Sequence, residues 1–257
     1  MKQRSDLPAD VIPAIARIED ATNAYVSALA FIVRDTARDP RFSETHLFAY
    51  LAQDLLQSAI SLPLLAVEGM WSVARRELRF ILEASTKQAV IQHQAYITPI
   101  QEKLVEFEGL LASPSISCKS RLSLSLLEES LRDQFLEEVG RLYGAGSNYV
   151  HLSPKQVRDR MASVKAGYTI GFEGATEASA ATDIAVRTLA ASLVLLLHGV
   201  PKYVAGDLLV ESDGVSRDWF FAQSKFIASI DSNFDDKHER KADLHEVIRK
   251  RQSIVRF

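Results

Sequence analysis

Cysteine is the scarcest chemistry-bearing residue in this sequence, since the 257 residues contain only Cys118. A single cysteine excludes an internal disulfide framework and a zinc site built from cysteines. Such usage is typical of a reducing compartment, so we expect a cytoplasmic protein. The sequence also lacks a phosphate-binding loop, a dinucleotide fingerprint and a His-Glu-x-x-His segment. We therefore predict no cofactor and no metal.

Long apolar runs are lacking as well. The most apolar stretch, residues 188–200, is about a dozen residues long, whereas a membrane-spanning helix needs about 20. The N-terminal segment is interrupted by acidic residues and does not have the pattern of a signal peptide. We expect a buried core helix and no membrane span. The net charge of −3 argues against a surface coated for nucleic acid but permits a local basic patch.

Apolar residues, 47% of the chain, recur at helical spacing along nearly all of it. The pattern predicts an all-α multi-helix bundle with a peripheral C-terminal helix. We assign residues 1–234 to the bundle domain and 235–257 to a charged, solvated C-terminal helix or tail. We expect the core to be formed by the three longest apolar helices, at about 63–97, 117–143 and 176–209.

Local signals predict where the helices begin and end. Ser43 should cap a helix to about residue 61, and Pro63 should start or kink the next one. The helix ending near Tyr143 should loosen at the following glycines, and Ser153-Pro154 should cap a new helix. A kink is expected at Pro201. Residues 167–174 (GYTIGFEG) predict a loop or short hairpin.

The first candidate site lies in the long helix after Pro63. Arg79 and Glu83 are four residues apart and share a helix face, with Arg75 one turn earlier. The residues between them, 80–82, are apolar. The pair is either an ordinary surface ion pair or a partly buried one, which would be costly unless its polar groups are satisfied.

The second candidate site is a stripe of polar side chains before Pro154. Tyr143, Ser147 and His151 are spaced by four and share a face if this segment is helical. Histidine is the usual proton-transfer residue near neutral pH. Alternatively, His151 lies at a helix end, where an imidazolium pairs with free carbonyls. If the two stripes face each other, they form one buried polar network, which is either structural or a site.

Together the two stripes read Arg-x-x-x-Glu and then Tyr-x-x-x-Ser-x-x-Val-His-x-Ser. This pattern resembles a widespread group of uncharacterised bacterial helical proteins that is distantly similar to HEPN domains. The resemblance covers roughly residues 45–200 and implies a HEPN-like bundle. The matching positions are Arg79, Glu83, Tyr143, Ser147, Val150, His151 and Ser153.

HEPN ribonucleases would imply metal-independent RNA cleavage, with an Arg-x-x-x-x-His motif at a dimer interface. In that chemistry histidine acts as acid or base and arginine steadies the phosphate. Here the residue five positions before His151 is Gly146, not arginine. The motif itself occurs at Arg41–His46 and Arg240–His245, of which the second lies in the charged tail.

Two functional hypotheses follow. In the first, the chain is a non-catalytic helical interaction module with a buried polar network, and the resemblance implies a bacterial antiphage defence or toxin–antitoxin system. Its partner would be another protein or a second copy in a homodimer. In the alternative, the chain is a metal-independent HEPN-like ribonuclease or toxin acting on RNA, with His151 as the acid–base residue and Arg79 on the phosphate. The missing arginine favours the first.

Overall fold

A computed structural model of the chain describes residues 6–94, 97–111, 116–150, 153–167, 174–212, 214–235 and 244–257. These residues form helices, turns and one isolated antiparallel bridge between Val210 and Ser216, with no extended strand among them. The prediction of an all-α bundle is therefore confirmed. The α-helices are α1 (Ile12–Thr36), α2 (Phe42–Thr45), α3 (Phe48–Val67), α4 (Trp71–Gln94), α5 (Ile100–Leu111), α6 (Glu129–Val150), α7 (Pro154–Lys165), α8 (Ala175–His198), α9 (Lys202–Leu209), α10 (Lys225–Ser232) and α11 (Leu244–Ile254).

Helix α8 is the centre of the bundle. Every residue of its second half, 188–198, is buried, and α8 packs against α4 and α1. A chain of hydroxyls joins these three helices: Tyr25 Oη lies 2.7 Å from Ser192 Oγ, which lies 2.6 Å from Ser85 Oγ. Burial raises the pKa of Tyr25, so the phenol stays neutral. The core thus includes α1, which the sequence pattern did not single out.

Within the described residues, two helices, α3 and α8, are long and apolar enough to cross a bilayer by length and composition. Most of the apolar stretch of α8 is buried inside the protein, as expected for a core helix. Helix α3 packs against α1 and α4 along one side.

The helix boundaries near Pro63 differ from the prediction. Helix α3 begins at Phe48, and Ser43 lies inside the short α2 instead of capping the long helix. Pro63 lies inside α3. The break comes at Gly69, whose φ of 70° lies in the left-handed region that glycine adopts without steric cost. A positive φ therefore sets this boundary, and the proline does not.

Two further boundaries were wrong. The segment predicted as one helix from 117 to 143 begins with a 3₁₀ turn at Ser117–Arg121, and α6 starts only at Glu129. Helix α6 then continues through the glycines to Val150. Pro201 does not kink one helix: it separates α8 from α9. Residues 168–173 of the predicted loop or hairpin lie outside the described residues.

The C-terminal helix α11 is attached to the bundle along one face. Arg251 is buried, and it donates to Asp231 at 2.9 Å and to Asp235 at 2.7 Å. The main chain of Lys225 donates to the carbonyl of Phe257 at 2.6 Å. Most other charged residues of α11 are exposed. The helix is therefore peripheral but anchored.

Candidate functional site

The two predicted stripes do meet, because α4 and α6 pack closely at Gly146. A Cβ built at this position would lie 2.8 Å from Arg79 Cβ and 3.2 Å from the Arg75 carbonyl oxygen. Real Cβ contacts are almost never that short, so glycine permits this approach. The glycine that was expected to loosen the helix instead brings α6 against α4.

Arg79 reaches across this contact to Tyr143. Its Nη2 donates to Tyr143 Oη at 2.8 Å, and the guanidinium lies 4.6 Å from the centre of the phenol ring. The Arg79 side chain is 11% exposed. Such a hydrogen bond combined with a cation–π contact fixes both side chains in the α4–α6 seam.

Glu83 extends the cluster along α4. Arg79 Nε lies 3.7 Å from Glu83 Oε2, and Lys87 Nζ donates to Glu83 Oε1 at 2.5 Å. The Lys87 side chain is almost completely buried. The partly buried alternative therefore holds for the Arg79–Glu83 pair. Sequence reasoning missed Lys87, although its spacing of four from Glu83 was visible.

Ser147 does not join Arg79 or Glu83 through a hydrogen bond in the described part of the chain. Its hydroxyl donates to the carbonyl of Tyr143, one turn back in the same helix, at 2.8 Å. Ser153 caps α7 as predicted, because its Oγ accepts from the Gln156 amide at 3.1 Å. His151 lies outside the described residues. Of the five predicted site residues, the structure therefore brings together Arg79, Glu83 and Tyr143.

A second polar cluster lies beside the first, at the N-terminal end of α4. Arg75 Nη2 donates to Glu177 of α8 at 2.6 Å, and its guanidinium lies 4.4 Å from the centre of the Tyr149 ring. Arg76 Nε donates to the Tyr149 carbonyl at 2.5 Å. These contacts tie the last turn of α6 to α4 and α8. The sequence placed Arg75 on the Arg79 face but gave no signal for Glu177.

Helix α7 completes this cluster with its polar face. Tyr149 Oη donates to Asp159 at 3.1 Å, and Arg160 Nη2 donates to Ser72 of α4 at 3.2 Å. The polar residues of α7 that are partly buried are spaced at three and four residues, as one helix face requires. They are Gln156, Asp159, Arg160 and Ser163.

An adjacent face of α7 is apolar and exposed. Val157, Met161 and Val164 are 45%, 56% and 72% exposed, and their spacing also defines one face. A surface helix ordinarily buries its apolar face and exposes its polar one. The orientation of α7 is inverted.

A cavity of about 240 Å³ lies between α7 and the rest of the bundle. It is bordered by the first turn of α4, the last turn of α6, one face along most of α7 and the first turn of α8. Its polar lining comes from the second cluster and from α7: Ser72, Arg75, Tyr149, Gln156, Asp159, Arg160, Ser163 and Glu177.

Other titratable groups lie in the core, away from this cavity. His46 has no exposed surface, and burial lowers its pKa. The motif match at Arg41–His46 therefore does not form an open acid–base site. Burial also lowers the pKa of Lys103 to about 8, and this side chain donates to Gln92 Oε1 at 3.1 Å. Arg240 lies outside the described residues.

His198 is neutral at the end of α8. Its Nδ1 bonds the Val194 carbonyl at 2.7 Å, and its Nε2 accepts from the Leu126 amide at 3.1 Å. Burial lowers its pKa to about 4. Cys118 is also buried, and burial raises the pKa of its thiol.

In the described segments, no group of three or more His, Cys, Asp or Glu side chains lies close enough to hold a metal ion. Comparisons with protein-family models, curated proteins and solved structures find no match for this chain. The arrangement of the site itself is therefore the basis for a functional proposal.

Proposed function

We propose that the chain is a non-catalytic helical interaction module, HEPN-like in fold, that forms a homodimer through α7. The outward apolar stripe of α7 carries this proposal. Contiguous exposed apolar surface is a feature of protein–protein interaction sites. The resemblance of the two sequence stripes supports placing the module in a bacterial defence or toxin–antitoxin system.

The charges around the stripe suggest what covers it. Arg158 and Lys165 of α7 are exposed beside the apolar residues. Helix α5 offers the complement: Leu104, Val105 and Leu111 are 39%, 71% and 53% exposed. Glu102 and Glu108 are exposed on the same helix. An apolar stripe with basic flanks and one with acidic flanks attract each other and fix the partner's orientation.

Helices α5 and α7 contact α4 near its opposite ends. Lys103 of α5 donates to Gln92 near the C-terminal end of α4, whereas Arg160 of α7 donates to Ser72 near its N-terminal end. Helix α4 has 24 residues, which is about 36 Å at the usual rise. In a twofold homodimer, a contact between α5 of one copy and α7 of the other would occur twice.

The polar network supports a structural role in place of catalysis. Arg79, Glu83 and Lys87 pair along α4, and Arg79 also donates to Tyr143 of α6 across the seam. A catalytic acid or base must come within hydrogen-bonding distance of a substrate proton. A buried network of this kind rigidifies a bundle instead.

The test is the oligomeric state of Met161→Glu measured by sedimentation velocity. A carboxylate in the middle of the apolar stripe should convert the wild-type dimer to monomer while the helical circular dichroism stays unchanged. Leu244→Glu is the matched control, because Leu244 is an exposed leucine on α11. A monomeric wild type, or equal dissociation by both variants, would contradict the proposal.

Charge reversal adds a second arm. Arg158→Glu should weaken the dimer, because the new carboxylate would repel Glu108 of the other copy in the proposed contact. Adding Glu108→Lys in the same chain should restore the association. If the double variant stays as weak as the single one, α5 is not the occupant of the stripe.

A ribonuclease using His151 is the second candidate. The observation in its favour is a cluster of arginines, Arg75, Arg76 and Arg79, beside the final turn of α6. Wild type and His151→Ala should be compared on RNA in buffer containing a metal chelator. Cleavage by wild type that His151→Ala abolishes would replace the non-catalytic proposal. If no RNA is cleaved, His151→Ala should only reduce stability, by roughly 1–3 kcal/mol if buried partners lose a hydrogen bond.

A further inference from the structure

We infer that the cavity between α4, α6, α7 and α8 binds a small molecule bearing a carboxylate or phosphate, with Arg75 and Arg160 holding the oxyanion. This inference does not depend on the proposed dimer. It rests on the chemistry of the cavity wall, on the helix ends that surround it and on its size.

Arg75 has unused donor capacity at the cavity wall. Its side chain is 10% exposed and lines the cavity. A guanidinium carries five N–H donors, and in the described part of the chain its one hydrogen-bond acceptor is Glu177. The Tyr149 ring holds the guanidinium from one side at 4.4 Å. The remaining donors therefore lie in a fixed plane, which suits bidentate binding of a carboxylate or phosphate.

Arg160 lines the same cavity from the opposite wall. It lies on α7 and donates to Ser72 at 3.2 Å, so its guanidinium spans the gap between α7 and α4. Arginines on two walls favour an oxyanion between them, since each can contact a different oxygen.

Three helices begin at this cavity. Trp71 and Ser72 open α4, Gln156 lies in the first turn of α7, and Glu177 lies in the first turn of α8. The N-terminal end of a helix carries a partial positive charge and favours an anion. Helix α8 has glycine at its N-cap and no side-chain cap. The helix ends therefore add partial positive charge to a lining in which two arginines are balanced by Asp159 and Glu177.

Size and charge favour a small ligand over RNA. The cavity is about 240 Å³, with α7 as one wall. Asp159 and Glu177 also line it, and these carboxylates would repel the neighbouring phosphates of a polynucleotide. They can accept hydrogen bonds from a hydroxyl or amine on the same small molecule. The best-fitting class is thus a small carboxylate or phosphate ester with a donor group.

Trp71 provides a direct readout, because it lines the cavity and only one other tryptophan, Trp219, occurs in the chain. In the full-length Trp219→Phe protein, the fluorescence of Trp71 should be titrated separately with inorganic phosphate, glycerol phosphate, serine and a short oligouridylate. We expect a saturable change with at least one of the first three. Whether the phosphates or serine bind more tightly identifies the oxyanion. Oligouridylate should not compete.

Arg75→Gln in the same background should weaken that binding by about tenfold or more, equivalent to about 1.4 kcal/mol. Arg141→Gln is the matched control, since Arg141 is a 61% exposed arginine of α6 away from the cavity. If Arg75→Gln does not fold, Arg160→Gln serves in its place. The inference is overturned if none of the small anions gives a saturable fluorescence change, or if only oligouridylate does. It is also overturned if Arg75→Gln and Arg160→Gln both bind the anion as tightly as the parent. Sedimentation velocity of the same protein without anion reports its oligomeric state. Failure of the dimer proposal can therefore be distinguished from failure of anion binding.

Discussion

Helices α7 and α8 direct their apolar residues to different environments, solvent for α7 and the core for α8. In α8 the apolar residues are inside, and its C-terminal histidine is bonded on both ring nitrogens to main-chain groups. In α7 the polar residues face inward to a cavity, and the apolar residues face solvent. The inward side of α7 therefore has little apolar area with which to stabilise the fold.

This difference separates stability from function. Burial of apolar surface is the dominant favourable term in folding, so α8 should dominate the free energy of unfolding. The stripe of α7 loses water only when a partner covers it, so its residues should matter for association.

The largest effect is expected from truncating a core leucine. Leu193→Ala in α8 should lower the free energy of unfolding by about 2–5 kcal/mol, because Leu193 has no exposed surface and its loss leaves a cavity. Met161→Ala in α7 should change the unfolding of the monomer by less than about 0.5 kcal/mol. Urea denaturation of both variants, at a concentration where the chain is monomeric, checks this. Equal losses would show that α7 belongs to the folding core.

The second largest effect is expected from acid, which should lower the stability of the fold through His198 at the end of α8. The pKa of His198 is about 4 in the folded protein and about 6.5 when unfolded. Below pH 6.5 the unfolded chain takes up a proton that the folded one does not. Stability should therefore fall between pH 6.5 and 4 by on the order of 3 kcal/mol, and this contribution should level off below pH 4.

The control for the acid effect is His198→Gln, which removes the titrating ring. Its unfolding should depend less steeply on pH over the same range. Buried His46 also has a lowered pKa, so part of the slope should remain. A slope identical to that of wild type would contradict the assignment to His198.

The smallest of these effects concerns the α4–α6 seam. Substitution of two glycines of α6 tests how closely this helix packs against α4. Gly146→Ala should cost about 1–3 kcal/mol, because its Cβ would lie 2.8 Å from Arg79 Cβ. Gly144→Ala meets nothing within 4 Å and should stabilise the helix by roughly 0.5–1 kcal/mol. Thermal unfolding of both variants distinguishes the two effects. Stabilisation by both would mean that the helices do not approach so closely.

Much of the fold could be predicted from the sequence, because helical periodicity and capping are local signals. Ser153-Pro154 identified the start of α7, and the spacing of Arg79 and Glu83 identified a real ion pair. The prediction that the helix loosens at the glycines after Tyr143 was wrong. Glycine is costly in a helix, but it is retained where a neighbouring helix requires the absence of a Cβ. That requirement comes from α4, which no local pattern near residue 146 reveals.

The site was less predictable than the fold. Arg75 pairs with Glu177, which lies 102 positions away along the chain. The stripe of α7 was present in the sequence, but its outward direction depends on which face meets α4 and α6. Periodicity defines two faces of a helix without saying which one is inside.

The most direct test of the α7 interaction is a cross-link between two copies. Protein with Val105→Cys on α5 should be mixed with protein with Val164→Cys on α7, and treated with a short bis-maleimide. The native thiol, Cys118, is buried. The account predicts a covalent dimer in the mixture that is lost when Met161→Glu is added to the Val164→Cys chain. A mixture that stays monomeric, or that cross-links equally well when Leu244→Cys replaces Val164→Cys, would contradict the proposed contact between α5 and α7.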